Sequence, residues 1–298
     1  MGLFSGMFSG KSNRPDFTPD MMPKNRFELF FEMLKLNLFN LLKVNLMYFV
    51  FWIPFWIWTW MNLSVLLTYD SVEAFAADGY MMVYALGAAL CVMITGPAKC
   101  ALKYITRNYA RDEHVWLWSD FIGAIKANWK QGLALSVLNG LFLFLFVYGL
   151  SFYNNMAAAT GSYVYLFLQV LLVVLGVMFL LMNLYAWPMM VTYELKFTQI
   201  LRNSLVLAIG RLPQSVLFGL ITIIPIVIAG FWMPFLFWYF IIGYALASFV
   251  NCSYTNAAFD RFFNTRIEGA EVGRGMQKKS AEDDDEWEDL DPDDEDDK

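Results

Sequence analysis

The chain has 298 residues, of which 58% are hydrophobic and 18% aromatic, with 21 Lys or Arg against 27 Asp or Glu. Four stretches, Val44 to Tyr69, Gly79 to Ala98, Gln131 to Tyr193 and Leu212 to Phe259, hold no charged residue, which excludes an ordinary water-soluble domain because a soluble helix needs a polar face. One His and three scattered Cys supply neither zinc-ligand spacing nor a disulfide framework, so Cys91, Cys100 and Cys252 read as small core residues.

In chain order, residues 1–25 read as a flexible cytoplasmic N-terminus without a signal-peptide core, and Gly6 stands where myristoylation needs Ser or Thr. Arg26 to Lys43 sets Phe27, Phe30, Phe31, Leu34, Leu38, Leu41 and Leu42 against Glu28, Glu32 and Lys35, an amphipathic helix that leads into the first apolar stretch. A bilayer core of about 30 Å takes roughly 20 residues per helix, so the first two stretches hold one span each and the last two hold two each. The pattern predicts an all-α polytopic membrane protein with six transmembrane helices, a membrane domain over 26–266. Amphipathic interfacial segments recur at Leu117 to Trp129 and at Phe197 to Leu212, and the three end in Lys43, Lys130 and Arg211. That recurrence is compatible with three repeats of interfacial helix plus transmembrane hairpin, and also with unrelated ancestry.

No Lys or Arg falls in the polar interruptions Asp70 to Asp78, Asn154 to Ser162 and Gly230 to Pro234, so the positive-inside rule puts both termini in the cytoplasm and the chain in the cell membrane. Pro54, Pro97, Pro188 and Pro225 fall inside predicted spans, where each removes a backbone hydrogen bond and leaves a carbonyl for a neighbour to satisfy. Residues 267–298 read as a disordered acidic cytoplasmic tail; 282–298 hold thirteen Asp or Glu against one Lys. The plain reading is a solvated tail, and Trp287 and Leu290 offer a short motif for a basic cytoplasmic partner.

Candidate chemistry is sparse. No motif for a nucleophile elbow, a zinc protease or a phosphate-binding loop occurs, and no catalytic residue, cofactor, metal or nucleic-acid partner is expected. The charge-free spans argue against ion coupling. Asn139, Gln169 and Asn183 are candidate intramembrane polar sites for a neutral solute, with interhelical hydrogen bonding as the plainer account. The densest cluster is Arg107, Arg111, His114, Trp116, Trp118 and Asp120, a candidate cytoplasmic interaction surface. Aromatic and basic residues interleaved in this way also suit a lipid interface, and Ser119 or Asp120 suits a helix cap.

The residues Met1-Gly2-Leu3-Phe4, Asn13-Arg14-Pro15, Phe30-Phe31-Glu32, Gly96-Pro97-Ala98, Arg107-Asn108-Tyr109-Ala110-Arg111, Glu113-His114, Trp118-Ser119-Asp120-Phe121 and Asn128-Trp129-Lys130-Gln131 together resemble the YesL-like family of bacterial membrane proteins. The resemblance runs over most of residues 1–270, and the acidic tail lies outside it. It implies a small polytopic protein of Gram-positive bacteria, encoded near carbohydrate ABC importers and without an established catalytic activity. The expectation is a non-catalytic accessory protein whose partners are the lipid bilayer and ABC importer permease subunits. A transporter for a neutral, sugar-like solute and a membrane-embedded enzyme using His114 are the alternatives.

Overall fold

The computed structural model describes residues 22–231 and 238–277, and among these every regular element is helical, with no strand. In order they are α1 (Arg26–Phe49), α2 (Ile53–Leu66), the short α3 (Val72–Ala77), α4 (Tyr80–Ile94), α5 (Gly96–Tyr109), α6 (Leu117–Thr160), α7 (Tyr163–Thr192), α8 (Phe197–Gly210), α9 (Leu212–Phe231) and α10 (Tyr244–Phe262). Among the described residues, Arg26–Leu66, Leu117–Thr160 and Tyr163–Thr192 are each long and apolar enough to cross a membrane, and counting each bent pair, α4 with α5 and α8 with α9, as one span gives up to five. The chain is therefore built as a membrane protein. The residues of the N-terminal motifs up to Asn13-Arg14-Pro15, the turn at Pro234 and the acidic run with Trp287 and Leu290 lie outside the described residues.

Two of the three amphipathic segments run into the following apolar stretch without a sharp break. α6 is one helix of 44 residues, about 66 Å long and about twice the hydrocarbon thickness. Arg26 to Leu66 likewise counts as one 41-residue unit. Only the third segment turns: α8 meets α9 at 102°. Proline explains the difference. Arg211-Leu212-Pro213 puts a ring and a missing N–H at the junction, whereas no proline follows Lys43 or Lys130 closely enough to stop the helix there.

At Pro97 and Pro188 the freed carbonyls are taken up by side chains of neighbouring helices. α4 and α5 bend by 52° at Pro97, and the Met93 carbonyl that faces the proline accepts from Ser136 Oγ of α6 at 2.8 Å. Pro188 sits inside α7, and the Leu184 carbonyl it leaves accepts from Asn251 Nδ2 of α10 at 3.0 Å. Pro54 follows a 3-10 turn over Val50–Trp52 and opens α2.

Helices cross closely where side chains vanish. Gly132, Ser136 and Gly140 form a stripe on α6 spaced by four residues, and a Cβ added at Gly140 would lie 2.6 Å from the Ala89 carbonyl oxygen. The packed centre is α5, whose Ala98, Cys100, Ala101 and Ile105 are fully buried. Leu29, Met33, Leu41, Val44 and Tyr48 of α1, Phe121 and Ala124 of α6, and Phe249 and Cys252 of α10 close around it. Phe27 and Phe31 of α1 stay exposed, as befits a face turned to lipid rather than to protein. Cys100 and Cys252 are buried, Cys91 is partly buried, and all three are free.

Before α10 the chain makes one π-helical turn, Tyr239–Gly243. Such a turn leaves backbone groups out of register, and the fully buried Asn45 of α1 answers them. Its Nδ2 donates to the Phe240 carbonyl at 2.6 Å and its Oδ1 accepts from the Ala245 N–H at 2.9 Å.

Candidate functional site

Four bases recur at every fourth position from α5 onward, Lys99, Lys103, Arg107 and Arg111, so a helix aligns them as one ladder. The ladder's two halves have different surroundings. Arg111 Nε lies 2.9 Å from Glu113 Oε1, Arg107 Nη1 lies 3.9 Å from Glu113 Oε2, and Arg274 Nε approaches the same carboxylate at 3.7 Å. Lys103 donates to Asn251 Oδ1, and the Lys99 ammonium stands 4.5 Å above the Trp187 ring. Neither lysine forms an ion pair among the described residues.

Lys99 and Lys103 line a cleft of about 330 Å³ between α1, α5, α7, α9 and the π-turn with α10. Its walls mix aromatic rings (Tyr48, Trp52, Trp187, Tyr239, Tyr244) with the polar groups of Asn183, Thr222, Ser248 and Asn251. The π-turn brings Tyr239 to this wall, and Pro188, which lacks an N–H, frees the Leu184 carbonyl that orients Asn251. Asn251 therefore has its amide nitrogen on Leu184 and its oxygen on Lys103. The cleft has the dimensions and the mixture of ring and polar walls of a small-molecule site, and its fixed charge is positive.

The sequence-predicted residues divide. Of the three intramembrane amides only Asn183 lines the cleft; it donates to the Phe179 carbonyl and accepts from Trp187 Nε1 at 3.0 Å. Asn139 donates to Leu135 of its own helix, and Gln169 stands partly buried on α7. At the other cluster Arg107 and Arg111 are turned inward to Glu113, whereas Trp116 and Trp118 are 72% and 69% exposed. His114 is exposed and meets Trp116 edge to face at 5.0 Å. Asp120 supplies the cap, accepting the Trp116 N–H at 2.8 Å.

Around this turn the chain is tightly held. Asp112 adopts φ 55, and partial desolvation of this exposed residue pushes its carboxyl above the usual range while the nearby Arg274 pulls it back. Gly273-Arg274-Gly275 packs against the same turn. The Gly273 N–H donates to Asp260 at 3.0 Å, and Arg274 reaches Glu113 and Glu271.

Sequence reasoning passed over Lys99 and Lys103 because they follow an apolar stretch, where the positive-inside rule treats a base as an interfacial flank. Two signals were present. The bases repeat with the helical period, and α10 carries Ser248, Asn251 and Thr255 three and four residues apart, a polar stripe that needs buried partners. Compared with known families, residues 41–150 match the model described as "Protein of unknown function, DUF624". That segment includes α2 to α5, all four bases of the ladder and the Trp116 turn. No curated protein and no solved structure matches the chain.

Proposed function

We propose that the chain is a non-catalytic accessory protein of the cell membrane, with six spans, both termini cytoplasmic, and the π-turn with α10 as the last span. In this reading the turn from Arg111 to Trp118 docks on a neighbouring membrane complex, and the resemblance to the YesL-like family makes the permease subunits of a carbohydrate ABC importer the partner to test. The observation that carries it is a pair of exposed indoles, Trp116 and Trp118, beside a turn held by an ion pair and a helix cap. Arg111 and Glu113 brace the turn beneath them and Asp120 closes it at the helix start. Exposed Trp on a preorganised frame is the residue type that dominates protein–protein hot spots. The neutral-solute reading draws less support, because Asn139 and Asn183 donate their amide protons to their own helices.

The test is purification of the tagged protein from its native host in mild detergent, wild type beside Trp116→Ala/Trp118→Ala. Loss of the permease subunits from a variant that elutes and melts like wild type supports the docking role. Equal recovery of the same subunits with both proteins overturns it.

A further inference from the structure

The cleft between α5, α7, α9 and α10 contains a charge problem that the fold leaves open. Two ammonium groups, one helical turn apart, face one cavity, and no described carboxylate pairs with either. The next two bases on the same ladder do have a carboxylate, Glu113, so the lack is confined to the cleft. Uncompensated cations away from water cost several kcal/mol each. A cation–π contact at Lys99 and one amide oxygen at Lys103 offset only part of such a cost.

We propose that Lys99 and Lys103 bind the phosphate group of a ligand whose body lies against the aromatic and aliphatic walls of the cleft. Lysine is a point-charge partner for phosphate, and two ammoniums match the charge of a phosphate monoester dianion. Trp187 and Tyr239 supply flat walls for the ligand's body, and Ile223 and Ile226 of α9 supply apolar ones. Asn251 is a positioning residue, since the Leu184 carbonyl fixes its amide and its oxygen holds the Lys103 ammonium. The phosphate can come from an anionic lipid headgroup or from a free phosphate monoester; both present the same group to the same pair. This inference goes beyond the docking role and stands independently of it.

The experiment places the full chain in phosphatidylcholine nanodiscs containing a minor fraction of phosphatidylglycerol, and native mass spectrometry counts the retained lipid. In a second arm, inorganic phosphate and glycerol phosphate are titrated into the protein in pure phosphatidylcholine discs. Selective retention of phosphatidylglycerol assigns the site to a lipid headgroup; binding of the soluble phosphates without such retention assigns it to a free monoester. In either case Lys99→Gln/Lys103→Gln weakens the interaction about tenfold or more, whereas Lys126→Gln/Lys130→Gln on α6 leaves it unchanged. The proposal is overturned if wild-type protein shows neither selective retention nor phosphate binding. It is also overturned if the folded Lys99→Gln/Lys103→Gln protein binds as wild type does. The wild-type arms decide the question even where that double variant does not fold.

Discussion

Single side chains hold this protein together at the places where its helices depart from regular geometry. Asn45 satisfies both a donor and an acceptor of the π-turn. Asn45→Leu, which strands two buried backbone groups, is expected to cost about 2–4 kcal/mol and to lower the thermal midpoint in detergent. Asn251 answers the carbonyl freed by Pro188, so the two positions are coupled. Pro188→Ala returns an N–H to Leu184, and Asn251→Leu should therefore cost less in that background than in wild type, a difference that a double-mutant cycle reads directly. Asp112 combines a left-handed backbone with a carboxyl whose ionisation partial desolvation opposes. Asp112→Asn keeps a residue suited to φ 55 and removes the charge. The raised carboxyl makes an unfavourable contribution that is fully present above its folded value and vanishes below its unfolded one. The variant should thus melt higher than wild type at pH 7, with the gap closing as the pH falls below about 4.

At the scale of elements, the decisive feature is the close crossing of α6 with α4 and α5. Without a hydrophobic force to drive helices together in lipid, small residues that admit close backbone contact do that work. At Gly140 an added Cβ meets the Ala89 carbonyl, a backbone atom that cannot swing aside, whereas at Gly123 of the same helix nothing lies within 4 Å. Gly140→Leu should abolish monodisperse purification, while Gly123→Ala should be neutral or stabilising by up to about 1 kcal/mol. The Gly132, Ser136, Gly140 stripe stands in the sequence at helical spacing, yet its meaning depends on which helix lies opposite, and hydropathy does not supply that. Proline breaks were legible individually. Which amphipathic segment would turn depended on Pro213 at the α8 to α9 junction, since a helix with no breaker simply continues.

For the whole molecule, the apolar stretches were legible because nothing but a membrane tolerates such runs, and the helices long and apolar enough to cross one fall within them or run into them. The candidate site was legible only in part. Trp116 and Trp118 are exposed as an interaction surface requires, whereas Arg107 and Arg111 turned out to brace it from within. The lysine pair of the cleft was hidden, because composition along the chain gives the distance of a base from the last apolar residue and not whether a later helix will cover it. The proposed orientation has its own check in whole cells, using a variant that lacks Cys91. A membrane-impermeant thiol reagent should label Ser71→Cys directly, and Ser119→Cys only after the membrane is opened. The reverse pattern would invert the topology.

Chain order gives the π-turn with α10 a particular burden during synthesis. The partners of Asn45 lie 195 and 200 residues further on, and the amide that meets Lys103 lies 148 residues after it. Since the chain emerges N-terminus first, α1, α5 and α7 are made with an amide, an ammonium and a bare carbonyl still unanswered. The π-turn with α10 answers all three. A nascent chain that stalls before Tyr239 therefore lacks the partners of all three groups.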